Sequence, residues 1–503
     1  MDPYYRRAAR AAQEPANEVM RIVTFTGYRT MTFGSLICNF LALTCAGLSS
    51  LGTVRAEPPE FKAGGNWLGT LPIPSGEIRF VFRIAEGPGG RLSAVADSPD
   101  QEVFDIPVDQ VICANRSIRM RIQALHGGYE GAFTTGDTID GKLIQGNKKI
   151  PLPLKRVDNA PLPPKRPQNP IRPFPYDEQE VVVDNAGIKL AGTLTLPRAQ
   201  GPFPAVILLT GSGPQNRDEM IFNHRPFLVL ADHLTRQGFA VLRTDDRGVG
   251  ESTGDFEPAT MRDSTGDALA CVKFLKNRPE IKCTAIGLLG HSEGGCVATM
   301  AAAQSSDVTF VIMMAGLGIK GYDNMVLQDY LSARQAGAIE TEAVWVRDWV
   351  RKFYLVPLQE KDNNSAEARL RAMRNAIRPE EKAAARWMGG ITLDPKYAVS
   401  PPMRMMLAFD PIPFINRVKC PVLALNGDKD VQVPATDNLE GLAHAFKEAG
   451  NARVVIMKLP NLNHLFQTVV PGGPTDYGQI EETLAPVALA AISDWLKTHV
   501  PDR

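Results

Sequence analysis

Histidine is scarce in this chain of 503 residues: there are seven, at positions 126, 224, 233, 291, 444, 464 and 499. Net charge is absent as well, with 55 Lys and Arg set against 55 Asp and Glu. No basic patch argues for nucleic acid, and no acidic tail argues for a charged partner. The seven cysteines form no Cys/His cluster with zinc-ligand spacing, and no Gly-rich phosphate loop occurs, so no metal and no cofactor are expected. Long apolar runs are lacking with one exception, Phe33 to Leu51, which is free of charge.

That run is preceded by Arg21 and Arg29 and followed by Val54-Arg55-Ala56, which fits an export signal cleaved after Ala56. The charged leader Met1 to Glu18 is unusual for such a signal, so translation could start at Met20 or Met31. An uncleaved membrane anchor at residues 33–51 is the alternative, because the stretch is long enough to span. A lipoprotein site at Cys45 fits its flank, Ala42-Leu43-Thr44, poorly. With residues 1–56 taken as leader, the remainder has 49 basic and 52 acidic residues and an exported location is expected, periplasmic or extracellular. Five cysteines then remain, and an odd number implies a free thiol or an intermolecular bond. Cys271 and Cys283 are the only plausible close pair, whereas Cys296 suits apolar packing.

What the chain does contain is Ile286-Gly287-Leu288-Leu289-Gly290-His291-Ser292-Glu293-Gly294-Gly295, followed by the small-residue run Cys296 to Ala303. A short apolar strand enters Gly-x-Ser-x-Gly and a helix leaves it, the layout of a nucleophile elbow. Glycines two before and two after Ser292 leave room for the strained turn that lifts the hydroxyl above a sheet. The N–H of Glu293 then lies at a helix N-terminus, where it can stabilise an oxyanion.

A nucleophile of this kind needs an acid and a histidine downstream, in that order. Four of the seven histidines precede or adjoin Ser292, His444 falls in a helical stretch and His499 in the last turn of the terminal helix. His464 remains, in a polar loop after the strand Val454 to Leu459. The acid is sought in Asn426-Gly427-Asp428-Lys429-Asp430-Val431, where Gly427-Asp428 reads as the turn that delivers Asp430, and Asp428 as a solvated turn residue. A second oxyanion donor should come from the loop after an earlier strand. Ala205 to Leu209 runs into Thr210-Gly211-Ser212-Gly213-Pro214, and the donor is assigned to the N–H of Ser212, with Gly213 as the alternative.

These motifs, together with Gly211-Ser212-Gly213-Pro214-Gln215-Asn216-Arg217-Asp218 and Asp245-Asp246-Arg247-Gly248-Val249-Gly250-Glu251-Ser252, resemble the α/β-hydrolase superfamily. The resemblance is to bacterial serine carboxylesterases with an extra N-terminal β domain, and it covers about residues 180 to 500. Thr210 stands where many members carry histidine, a departure that leaves the backbone donor unaffected. Asp246 and Arg247 are expected to brace the loop beneath the site rather than to touch substrate.

Around the motifs, strands alternate with helices of 10–15 residues, which implies α/β architecture: a mostly parallel sheet covered on both faces. An antiparallel hairpin is expected across Asn185-Ala186-Gly187. Residues 316–413 replace this alternation with charged, Met-rich helical segments and read as a helical cap inserted into the domain at 180–503. Met403, Met405 and Met406 either line an adaptable pocket there or form ordinary cap core. Residues 57–156 show short alternating runs, seven or eight strands in about 90 residues, which suggests a small antiparallel barrel or sandwich. Asp97, Ser98 and His126 have no catalytic spacing there. Residues 157–179, rich in proline, read as a stiff linker.

The expected activity is hydrolysis of a small-molecule carboxylic ester, of short to medium acyl chain, by Ser292, His464 and Asp430, with Ser212 and Glu293 as oxyanion donors. A peptidase or thioesterase would use the same three groups, and a non-catalytic binding protein is the remaining alternative, at odds with a complete triad. No pocket for a charged peptide terminus is identifiable, and export argues against intracellular acyl-CoA substrates. No nucleic-acid partner is expected, nor a stable membrane partner after signal cleavage.

Overall fold

The computed structural model describes residues 62–500, apart from 74–75, 102, 126, 147, 160–164, 390–393 and 473–476. The export signal ending at Ala56, the alternative anchor at 33–51, Cys45, His126 and the linker residues Pro161, Pro163 and Pro164 lie outside the described residues. No helix among the described residues is long and apolar enough to cross a membrane. The chain divides into two compact units, Met1–Pro163 and Pro164–Arg503.

Period-two alternation builds the first unit. Its strands are β1 (Gly65–Ile73), β2 (Gly76–Glu86), β3 (Leu92–Ser98), β4 (Val103–Val108), β5 (Gln110–Ala114), β6 (Ser117–Ile122), β7 (Gly127–Phe133), β8 (Thr138–Gln145), β9 (Lys148–Pro151) and β10 (Leu154–Val157). They form one antiparallel sheet in the order β4-β3-β2-β1-β10-β8-β7-β6-β5, with β9 pairing β8. In β6 every second residue is buried, so Ile118, Met120 and Ile122 face the core while Arg119 and Arg121 face water. Trp67, Phe82 and Tyr129 are fully enclosed, each contributing about 1.5–3 kcal/mol or more through apolar burial. Ten strands exceed the seven or eight that alternation suggests. The surplus lies after Thr138, where β9 is almost wholly exposed and carries no apolar stripe. Asp97 accepts from Arg83 Nε at 2.7 Å and from the Asp105 N–H at 2.8 Å, a structural assignment.

The second unit holds an eight-stranded sheet. Its strands are β11 (Tyr176–Asn185), β12 (Ile188–Pro197), β13 (Phe203–Leu209), β14 (Ala240–Thr244), β15 (Ile281–His291), β16 (Phe310–Met314), β17 (Val422–Gly427) and β18 (Val454–Leu459). The order is β11-β12-β14-β13-β15-β16-β17-β18. β11 and β12 form the antiparallel hairpin across Ala186-Gly187, and every pairing from β14 to β18 is parallel. Parallel strands covered on both faces must be apolar throughout, and β16 is buried along its whole length. This is an α/β-hydrolase sheet. From β13 the chain first moves outward to β14, then crosses back to β15 on the other side, so the strand order reverses between β13 and β15. Ligand sites in such sheets open beyond the carboxyl ends of the strands at that reversal.

Between β16 and β17 the chain forms helices at Gly321–Gln335, Glu340–Gln359, Asn363–Asn375 and Pro401–Ala408, with shorter turns of helix between them. They carry a core of their own, in which Val346, Val350, Phe353, Tyr354 and Leu370 are fully buried. Met403 belongs to that core, whereas Met405 packs against the core of the sheet and Met406 against both.

The Pro-rich segment differs from a free linker. Arg166 donates to the carbonyls of Phe222, Asn223, Gly478 and Ile480, and the Gln168 side chain bonds the main chain of Thr483 and Leu484. β11 also begins at Tyr176, inside the range read as linker. All five cysteines among the described residues are free: Cys271 is buried and Cys283 exposed, so the proposed close pair is not bonded.

Candidate active site

The elbow is formed where β15 meets the helix Glu293–Ala302. Ser292 sits at φ 54° and ψ −119°, outside the ordinary regions for a residue with a side chain. Its N–H donates to the Met314 carbonyl at 2.7 Å, which ties the turn to the neighbouring strand. The flanking glycines have steric reasons. A Cβ on Gly290 would come 2.0 Å from the Gly294 carbonyl oxygen, and one on Gly294 would come 2.2 Å from that of Leu209.

Two further loops meet Ser292. His464, after β18, lies with Nε2 3.1 Å from Ser292 Oγ. Its Nδ1 lies 2.8 Å from Asp430 Oδ2, after β17. The Asp430 side chain is fully enclosed, and its other oxygen accepts the N–H groups of Gln432 and Val433 at 2.8 and 2.9 Å. The carboxylate is thus fixed in position by its own turn. Asp428, the alternative acid, points elsewhere and accepts the Asn461 N–H at 2.7 Å. The other described histidines are not in this chain of contacts, apart from His291, which packs behind it. His224 is bonded to Thr483 Oγ1 and the Tyr477 carbonyl, and burial pushes its imidazole down to about 4.

Ser212, after β13, and Glu293, at the start of the elbow helix, lie on the two sides of the strand reversal. Neither N–H bonds an acceptor among the described residues. The Gly211 N–H beside them is occupied, donating to Glu219 Oε1 at 2.7 Å. Thr210 Oγ1 donates to Asp246 Oδ1 at 2.7 Å, and the Gln215 N–H donates to Asp246 Oδ2 at 2.9 Å, so Asp246 shapes the loop on which Ser212 lies. Burial pushes the Asp246 carboxyl up to about 7, and that of Glu293 likewise to about 7. Arg247 pairs with Asp267 at 2.8 Å instead of facing the site. Among the described residues no group of three or more His, Cys, Asp or Glu is arranged to hold a metal ion.

A family model described as X-Pro dipeptidyl-peptidase (S15 family) matches residues 186–457, more than half of the chain.

The chain belongs to the S15 peptidase family.

The match begins in the β11–β12 hairpin and ends within β18, so it takes in Ser292 and Asp430 but stops short of His464. Among curated proteins, this S15-family chain is 28% identical over 298 residues to Esterase EstD of Thermotoga maritima, covering 59% of this chain and 61% of that protein. It is 32% identical over 149 residues to Thiohydrolase aneE of Aspergillus aculeatus, covering 28% of this chain and 42% of that protein. The chain therefore spans about three fifths and two fifths of the lengths of these relatives. Among solved structures, Est1E from Butyrivibrio proteoclasticus with ferulic acid bound is 18% identical, with 64% of this chain and 99% of that chain covered at a TM-score of 0.39. The Pyrococcus furiosus esterase Pf2001 is 16% identical, with coverages of 65% and 92% at 0.40.

Two further residues, Glu219 and His291, meet directly beside Ser292 and His464 and have little mark in the sequence. Glu219 follows directly on the quoted loop motif ending at Asp218, and His291 was set aside as a neighbour of Ser292. Their signal was weak but present: a histidine inside the elbow, and a carboxylate at the end of a polar loop that must fold back beneath it.

Proposed function

We propose that this protein is a serine hydrolase of carboxylic esters working through an acyl-enzyme. The hydrogen-bonded chain from Asp430 through His464 to Ser292, at the strand reversal, carries that reading. His464 Nε2 takes the Ser292 Oγ proton as Oγ attacks the ester carbonyl. The N–H groups of Glu293 and Ser212 receive the oxyanion, favoured by the positive end of the elbow helix. His464 then returns the proton to the leaving alcohol, and water repeats the sequence to release the acid. Asp430 holds the imidazole in the tautomer with Nδ1–H and stabilises its cation. The helices of residues 316–413 act as a cap that limits the acyl pocket, in keeping with short to medium chains.

The similarity to Esterase EstD favours an ester, and the family's description favours a second reading, a peptidase acting after proline. Both are tested together. The protein and its Ser292→Ala variant are assayed with p-nitrophenyl esters from acetate to palmitate and with Ala-Pro-p-nitroanilide. Ester turnover with an optimum at or below medium chain length is expected, with a loss of several orders of magnitude in the variant. Anilide turnover without ester turnover would replace the esterase by the peptidase.

A further inference from the structure

Behind Ser292 and His464, two buried ionisable groups take no part in the proposed chemistry. His291 Nδ1 lies 3.0 Å from Glu219 Oε1, and His291 Nε2 lies 2.9 Å from the main-chain oxygen of His464. The two side chains are 8% and 4% exposed. A carbonyl oxygen only accepts, so Nε2 carries a hydrogen. One further proton must then sit between Nδ1 and the Glu219 carboxylate, because two bare lone pairs would repel each other there. The pair is neutral as a unit and needs both members: either charge alone would be buried without compensation.

The pair also joins segments distant in sequence. Glu219 Oε1 accepts the Gly211 N–H at 2.7 Å, from the loop after β13, while His291 reaches the main chain after β18. Glu219 has φ 51° although it is not glycine. It is held there by its N–H on the Asn216 carbonyl at 2.9 Å and by Asn216 Oδ1, which accepts the N–H groups of Asp218 and Met220 at 3.1 Å. Such a conformation persists only where its surroundings over-determine it. The void bordering the pair, walled by Phe227, Leu230, Leu465 and Phe466, measures about 10 Å³. It has room for about one water at most.

We propose that Glu219 and His291 are positioning residues: a buried proton-sharing pair that locks the oxyanion loop at Gly211 to the main chain of His464. This rests on the assignment of Ser292 and His464 as nucleophile and base. Neither member touches substrate. The groups that face the pair are Asp430 after β17, the His464 ring at 4.9 Å between centroids, Phe466 edge-on at 6.3 Å and Asp246 after β14. Burial opposes a charge on His291, but Glu219 beside it and the His464 carbonyl outweigh that and raise its affinity for the proton. Loss of the proton at alkaline pH breaks the lock, and kcat falls while KM holds.

The test uses the wild type, Glu219→Ala and Glu219→Gln. Both contacts are made by Glu219 Oε1, so a glutamine oxygen there keeps the Gly211 N–H but offers no hydrogen to Nδ1 of a neutral His291: one link of the two survives, without a shared proton. Glu219→Ala is expected to lower kcat for p-nitrophenyl acetate about 100-fold with KM changed less than about threefold. Glu219→Gln is expected to recover kcat to within about tenfold of wild type and to lose the alkaline fall in kcat. In protein labelled with ¹⁵N-histidine, both His291 ring nitrogens should carry protons at pH 6 in the wild type, and one in Glu219→Gln. Phosphonate capture at Ser292 reports that each variant is folded. An unchanged kcat in Glu219→Ala, an equal loss in both variants, or a singly protonated His291 in the wild type at pH 6 overturns the proposal. A wild type that neither captures phosphonate nor turns over ester overturns the hydrolase assignment instead, and this proposal with it.

Discussion

Two aspartates two residues apart have opposite fates. Asp430 faces the His464 ring, while Asp428 accepts a main-chain N–H from Asn461 on the other side of the turn. Asp430→Asn should therefore lower kcat by about 10³–10⁴-fold, because an amide stabilises the wrong tautomer of the histidine. Asp428→Asn should keep kcat within about twofold and cost a little stability at most. Comparable losses in both variants would contradict the assignment of Asp430. At this scale the sequence was informative because histidine is so rare: once Ser292 is fixed, only His444, His464 and His499 follow it, and the helical patterns around the first and the last leave His464. Glu219 was hidden for the converse reason. Its role depends on φ 51° and on contacts with residues 8 and 72 positions away, neither of which leaves a pattern in the sequence.

Elements with an apolar period were legible, and elements held by polar contacts were not. The hairpin, the parallel strands and the elbow helix lie within a few residues of where their patterns put them, since burial on a sheet imposes the pattern directly. Residues 165–175 read as linker because Pro, Arg and Gln also describe a solvated segment. What holds them is hydrogen bonding: the Arg166 guanidinium meets four carbonyl groups around Phe222–Asn223 and Gly478–Ile480. Arg166→Ala should lower stability by roughly 1–3 kcal/mol by leaving carbonyls without donors, readable as a lower midpoint in urea. A midpoint unchanged from wild type would mean that water replaces those bonds at no cost.

For the whole molecule, pH dependence follows from carboxyls that folding raises. Asp246, Glu293 and Asp329 are each pushed up to about 7, chiefly by burial. A raised carboxyl contributes stability that is fully present below its ordinary range near 4 and is lost as pH rises through about 7. His224 and His233 are lowered by burial and work the other way, gaining stability only up to about pH 6.5. Above that point the carboxyls act unopposed, so the calorimetric melting temperature should fall between pH 6.5 and 8. Asp329→Asn, which removes one of the three, should make that fall smaller. A melting temperature that climbs over this interval would refute the account.

The helical insertion stands between β16 and β17, two strands that are already neighbours in the sheet. An ordinary crossover would need only a short helix there, and the insertion brings a core of its own. The insertion is nonetheless tied to the sheet at a few points, through Met405, Met406 and Phe409 on its core and through Asn324, which donates to the Gln432 carbonyl beside Asp430, so those positions are held while the rest of the segment can drift or lengthen. In evolutionary terms such a layout lets most of one segment be rewritten at little cost to the strands beneath it, with the few anchoring positions inherited intact.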